Sequence, residues 1–150
     1  MEKYIINLKK DKDRYINSIK RLNNAGITDI KRFDAINGNE LIMSLEPIGY
    51  KHPFVNVGLT AQYDIYNGRK QHKELSSKGA IGCYLSHLML WKKLIESNNE
   101  RMLIFEDDIV PLDINLDIKI NNLIKEKDDF DILLLGHRII DKDTEKVSEN

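Results

Sequence analysis

The chain is poor in cysteine, has no long apolar segment and carries no excess of charge of one sign. Its only cysteine, Cys83, excludes an intramolecular disulfide framework and a four-cysteine zinc site within one chain. A single domain of 150 residues can bury a sizeable core without such staples. The 23 basic and 24 acidic residues give a net charge of -1, so no global field favours nucleic acid or an anionic membrane.

The N-terminal segment lacks the basic stretch and sustained apolar stretch of a signal peptide, and no apolar run reaches about 18 residues. We therefore expect a cytoplasmic protein in a reducing compartment, with no membrane span. Residues 1–140 are expected to form one domain, and residues 141–150 a polar tail.

Strand-like and helix-like patterns alternate, which predicts an α/β fold with a mainly parallel sheet flanked by helices. Residues 4–8 form an apolar run typical of a strand, and a helix capped by Asp11 or Asp13 should follow and end at Gly26. With a second strand at 28–33, this is a βαβ unit, which implies a parallel pair.

Further elements are predicted from the same periodicities. They are a short helix at 59–66, a helix at 81–95, a strand at 102–105, a helix at 117–127 and a buried strand at 130–136. The apolar stripe of the second of these helices is expected to consist of Leu85, Leu88, Trp91 and Ile95.

Three consecutive carboxylates, Glu106, Asp107 and Asp108, follow the apolar run 102–105 and should emerge at the carboxyl edge of the sheet. A hard divalent cation would relieve their repulsion and could also hold a diphosphate. Alternation along an extended segment turns Glu106 and Asp108 the same way, with Asp108 as the best metal ligand, and turns Asp107 to the other face. The alternative is an acidic strand end in solvent.

Small residues at 79–82 open the helix at 81–95, where backbone amides could approach a ligand or a neighbouring strand. Cys83 and His87 follow at a spacing compatible with two zinc ligands, but a structural zinc needs two more. Packing against Trp91 is therefore favoured, with His87 hydrogen-bonded at a strand end or reaching a phosphate.

Two other groups have open interpretations. The basic residues at 9–14, among them Arg14, could meet a diphosphate, although such clusters are more often a solvated helix start. Asp34, after the second strand, could accept a hydrogen bond from a ribose hydroxyl. Without further context, a turn around Asn37 and Gly38 is the favoured interpretation of that segment.

Taken together, these segments resemble glycosyltransferase family 25, the lipooligosaccharide galactosyltransferases and collagen galactosyltransferases. The matching segments are 5–14, 33–38, 81–87 with Trp91, 103–110 and 131–136. The combination of Ile-Gly-Cys-x-Leu-Ser-His and Glu-Asp-Asp is more specific than either motif alone.

The resemblance implies a GT-A-type, Rossmann-like fold and a UDP-sugar donor, most often UDP-galactose. It also implies that Glu106 and Asp108 hold Mn²⁺ or Mg²⁺ against the β-phosphate, so that UDP can leave with its charge neutralised. The hexose would pass with inversion to a glycan or protein hydroxyl, with a general base that the sequence does not identify. The expected donor-binding residues are Asn7, Leu8, Arg14, Asp34, His87 and Asp107.

Two features depart from the family pattern. Ala80 stands where the family usually carries an acid, and GT-A domains of this family run well past the segment 131–136. We therefore expect a C-terminally shortened domain, in which exposed apolar surface could drive self-association. The alternatives are a non-catalytic remnant or donor-binding half-domain of the same fold, and a Mg²⁺-binding regulatory α/β domain.

Overall fold

The computed structural model describes residues 1–40, 77–127 and 129–136 of the chain. The elements are β1 (Glu2–Asn7), α1 (Lys12–Asn24), β2 (Ile30–Asp34), a 3₁₀ turn (Gly38–Glu40), α2 (Lys78–Ile95), β3 (Met102–Glu106) and α3 (Leu116–Glu126). The predicted helix at 59–66 and the predicted tail at 141–150 lie outside the described residues.

The three strands form one parallel sheet in the order β2-β1-β3. Asn7 lies opposite Asp34 on one side of β1, and Ile6 lies opposite Glu106 on the other. The carboxyl ends of all three strands therefore meet at one edge and bring their polar residues together there. The predicted parallel α/β fold is confirmed, and the sheet with its flanking helices is consistent with a Rossmann-like fragment of GT-A type.

Alternation along the strands divides the core between the two faces of the sheet. On one face, Ile5, Leu103 and Phe105 pack with Leu22 of α1 and Ile120 of α3. On the other face, Tyr4 and Ile6 pack with Leu90 of α2. Burying both faces explains why residues 4–6 of β1 and residues 102–105 of β3 are continuous apolar runs instead of alternating with polar residues.

The helix α1 ends just before Gly26, the glycine at which the sequence predicted its end. Gly26 has a φ of 82°, the left-handed region that glycine enters without strain. The amide of Gly26 donates to the carbonyl oxygen of Asn23 at 3.0 Å, and the amide of Ile27 donates to the carbonyl oxygen of Leu22 at 2.9 Å. These two bonds form a Schellman motif, so α1 ends where the sequence predicted. Asp11 occupies the N-cap position without a side-chain capping bond.

The segment at 130–136 was predicted to be a buried strand, and this prediction is wrong. Residues 130–136 have no strand structure, and Ile132, Leu134 and Leu135 are 64%, 75% and 42% exposed. The apolar composition is that of a strand, but a strand also needs a neighbour to pair with. Within the described residues, none pairs with this segment.

The predicted stripe of α2 is also wrong in part. Trp91 and Ile95 are 38% and 83% exposed, whereas Ile81, Leu85 and Leu90 are buried. Apolar residues surround much of this helix, so the stripe predicted from periodicity contains the buried Leu85 but also two exposed residues. No helix within the described residues is both long and apolar enough to cross a membrane.

Candidate functional site

A cleft of about 180 Å³ opens at the carboxyl edge of the sheet. Its walls come from the end of β1, the start of α1, the loop after β2, the first turns of α2 and the end of β3. Open parallel α/β sheets bind ligands at this edge. The volume lies below the range of about 300–1,000 Å³ found for sites that enclose a small molecule, so the described walls match only part of a large ligand.

One wall is a direct contact between two backbones. The loop 35–38, here called the glycine loop, lies against the first turns of α2. A Cβ added to Gly38 would lie 1.6 Å from the carbonyl oxygen of Lys78, and one added to Gly82 would lie 2.3 Å from that of Ile36. Only residues without a Cβ allow this approach. The small residues at 79–82 were predicted to let backbone amides approach a ligand or a strand, and in the structure they allow the glycine loop to approach α2.

Hydrogen bonds of Ser86 stabilise the same contact between the glycine loop and α2. Its side chain is fully buried, its Oγ accepts a hydrogen bond from the amide of Ile36 at 2.9 Å, and it donates to the carbonyl of Gly82 at 2.7 Å. The glycine loop thus has a fixed position beside the cleft, because the partly buried amide of Ile36 finds a partner on α2.

Asn7 occupies the floor of the cleft at the end of β1 and is 1% exposed. Its Nδ2 donates to the carbonyl oxygen of Asp11 at 3.0 Å and to Oδ2 of Asp107 at 2.7 Å. Both partners are acceptors, which fixes the orientation of the amide. Its buried Oδ1 has no hydrogen-bond donor among the described residues.

The turn after β3 is held by α1. Arg14 forms an ion pair with Asp107, with 2.6 Å between Nη2 and Oδ1. Ser18, also buried, donates to the backbone carbonyl of Asp107 at 2.6 Å. Arg21 donates to the carbonyl of Ile109 at 3.3 Å. One face of α1 therefore positions the acidic segment at the strand end.

Glu106 turns to the opposite side and meets α2. Nε2 of His87 lies 3.2 Å from Oε1 of Glu106, and Sγ of Cys83 lies 3.7 Å from the same oxygen. Hydrogen bonds with Cys83 and with Glu106 raise the pKa of His87 to about 9, although partial burial opposes the charge. The hydrogen bond with His87 is the main cause that lowers the pKa of Glu106. At neutral pH these groups form an ion pair.

The cleft collects Asn7, Leu8, Arg14, Glu106 and Asp107 of the residues singled out in the sequence. His87 adjoins it through Glu106, at the end of a strand as expected, and its ring lies 6.3 Å from that of Trp91 between centroids.

Two predicted residues stand further out. The side chain of Asp108 is 72% exposed and 3.9 Å from Arg14. Asp34 is 64% exposed, with an oxygen 3.5 Å from Nε of Arg32.

The alternation expected from Glu106 to Asp108 stops at Glu106, because β3 ends there and a turn begins. Asp107 does point away from Glu106, toward α1. All three carboxylates already have a cationic partner: Arg14 lies 2.6 Å from Asp107 and 3.9 Å from Asp108, and His87 lies 3.2 Å from Glu106. A metal ion is therefore not required to relieve their repulsion.

The sequence did not reveal that the glycine loop forms a wall of the cleft. It also did not reveal the hydrogen bond from the Ile36 amide to Ser86 that holds this loop. Both depend on residues about 50 positions apart. The available signal was the pair of glycines, Gly38 and Gly82, whose need for close approach has no local explanation.

The fold and the cleft define a class: a parallel α/β domain with a polar site at the carboxyl edge of its sheet. Residues 1–149 match the profile of Glycosyltransferase family 25 (LPS biosynthesis protein). The chain belongs to this family, as the sequence motifs indicated.

Relatives support the same assignment. A glycosyltransferase 25 family member of Aedes aegypti is 34% identical over 107 residues, which is 71% of this chain and 16% of the relative. Procollagen galactosyltransferase 2 of Mus musculus is 29% identical over 161 aligned residues, 99% of this chain and 23% of the relative. A protein of Rattus norvegicus named probable inactive glycosyltransferase 25 family member 3 is 29% identical over 77% of this chain and 19% of its own length. The chain spans less than a quarter of these relatives.

Proposed function

We propose that this chain binds a UDP-hexose, with UDP-galactose as the first candidate, and transfers the hexose with inversion to a hydroxyl of a glycan or protein. The observation that carries the proposal is the cleft, which combines a buried amide, an arginine and a carboxylate segment at the carboxyl edge of the sheet. Family membership supports glycosyl transfer, and the mouse relative is named a galactosyltransferase.

The nucleoside would lie near Asn7 and Leu8 at the end of β1. Arg14 would face the diphosphate, since its half-exposed guanidinium has donors beyond those used by Asp107. Asp34 would accept a ribose hydroxyl bond after its carboxylate turns away from Arg32. His87 and Asp107 would act by holding the acidic segment in place.

Glu106 and Asp108 would hold Mn²⁺ or Mg²⁺. Their exposed carboxylates fit a hard cation, which proteins often bind through one or two carboxylates together with substrate phosphates. When bound, the cation would supply positive charge for the diphosphate that leaves. The chain's contribution would be to place one carboxylate, Glu106, against His87 and to keep the exposed Asp108, 3.9 Å from Arg14, within reach of the cation.

The experiment is calorimetric titration with UDP-galactose, with and without Mn²⁺, together with an assay of UDP release. Asp108→Asn should weaken binding in Mn²⁺ at least about ten-fold, because it removes a ligand charge. Glu100→Gln is the matched control, since this exposed carboxylate precedes β3 at the opposite edge of the sheet. Equal affinity of Asp108→Asn and the wild type in Mn²⁺ would reject the assigned role.

A second candidate is a donor-binding domain without turnover, and the rat relative named probable inactive favours it. The same titration separates the two functions. Binding that depends on the metal, without UDP release in the presence of acceptor sugars, supports the second. Binding with release supports the first.

A further inference from the structure

Cys83, His87 and Glu106 bring three different ligand atoms together beside the cleft. Cys83 and His87 are one helical turn apart on α2, and Glu106 faces them from the end of β3. The thiol sulfur, imidazole nitrogen and carboxylate oxygen all lie within 4.8 Å of one another. Without a metal, His87 and the thiol of Cys83 both hydrogen-bond to the same oxygen of Glu106, Oε1, so one carboxylate already gathers the other two groups.

Two of the three ligand separations match those around a tetrahedral zinc ion, and the third, between Cys83 and His87, lies within 4.8 Å. Bond lengths of about 2.0–2.3 Å at a tetrahedral angle place nitrogen and oxygen ligands about 3.4 Å apart, and sulfur and oxygen about 3.6 Å apart. The corresponding distances are 3.2 Å from His87 to Glu106 and 3.7 Å from Cys83 to Glu106. We infer that Cys83, His87 and Glu106 bind Zn²⁺ as three protein ligands, with one proton released to solvent from the His87 imidazolium and one from the Cys83 thiol.

The ligand types select the metal. Thiolate and imidazole favour zinc, whereas Mg²⁺ and Mn²⁺ favour oxygen ligands. The site therefore differs from the proposed hard-cation site, which uses Asp108 and does not use Cys83. The two sites share Glu106, so both ions would compete for this carboxylate.

Three protein ligands leave the fourth zinc position open, as in zinc sites that bind water or substrate. Cys83 and Glu106 line the cleft, and Glu106 is about half exposed. The open position is therefore accessible to water or to an anionic oxygen in the cleft. The sequence argument against zinc required four ligands, which holds for a structural site but not for one of this kind.

The only thiol of the chain makes the site directly measurable. In the metal-free protein, the rate at which iodoacetamide alkylates Cys83 is followed by intact mass, alone and with equimolar Zn²⁺. Zinc should slow alkylation at least about ten-fold, because a coordinated thiolate is a poor nucleophile. Equimolar Mg²⁺ should leave the rate unchanged. No variant is needed for this comparison.

His87→Gln and Glu106→Gln should lose most of the protection by zinc, whereas Asp108→Asn should keep it. Asp108→Asn thus separates this site from the proposed donor site, since it should lose only the Mn²⁺-dependent binding of UDP-galactose. Circular dichroism would establish that each variant is folded. An unchanged alkylation rate with zinc, or equal protection in His87→Gln and the wild type, would overturn the assignment.

Discussion

Gly82→Ala should destabilise the protein and distort the cleft, although alanine is the better helix former. Gly82 lies in the second turn of α2, where its Cα faces the glycine loop. An alanine Cβ would lie 2.3 Å from the carbonyl oxygen of Ile36 and 2.7 Å from the amide nitrogen of Gly38. Both neighbours are backbone atoms, so neither can rotate away.

The magnitude follows from the displacement. Bringing the closer contact from 2.3 Å to the 3.4 Å of ordinary contact requires α2 and the loop to separate by about 1 Å. Overpacking of this kind costs about 1–3 kcal/mol, and weakening the hydrogen bond that the Ile36 amide donates to Ser86 adds about 1 kcal/mol. Against this, replacing glycine by alanine within a helix raises the free energy of unfolding by about 1 kcal/mol. We expect a net loss of about 1–3 kcal/mol of unfolding free energy.

Gly79→Ala is the matched control, three residues earlier in the same helix. Its Cβ would meet only Oγ of Ser77, at an ordinary 3.7 Å, so the change should be neutral or stabilising by up to about 1 kcal/mol. Urea unfolding monitored by circular dichroism compares both variants with the wild type. Equal stability of Gly82→Ala and Gly79→Ala would refute the backbone contact.

Further predictions concern single groups. Ser86→Ala should lower the free energy of unfolding in urea by about 1–3 kcal/mol, because it leaves the partly buried amide of Ile36 in the glycine loop without its side-chain partner. Gly26→Ala should cost about 1–2 kcal/mol in the same assay, since its φ of 82° strains any residue with a Cβ. Protonation of His87, whose pKa is raised to about 9 by Cys83 and Glu106, should stabilise the metal-free protein fully below about pH 6.5, and this should be lost as pH rises through 9. In EDTA, the stability difference between the wild type and His87→Gln should therefore shrink from pH 6.5 to 9.5, and a difference that grew would contradict the assigned ion pair.

Local patterns predicted most of the elements. The run before Glu106, the stop at Gly26 and the βαβ spacing depend on neighbours in sequence, and the structure confirms each. The apolar run at 130–136 was misassigned because pairing, which composition cannot supply, decides whether such a run becomes a strand. The buried face of α2 was predicted only in part, because a helix with apolar residues on several sides has no unique apolar stripe.

By itself, the sequence determined the family, the parallel α/β class and the position of the carboxylates at a strand end, since these follow from motif order and short-range periodicity. Only the tertiary structure decided what each carboxylate contacts. Asp107 meets Asn7 from 100 positions away, and Glu106 meets His87 across the sheet edge. The physical reason is that Glu106 and Asp107 point to opposite sides of the sheet edge, so the elements packed on each side, α2 on one and α1 with the end of β1 on the other, determine the partner.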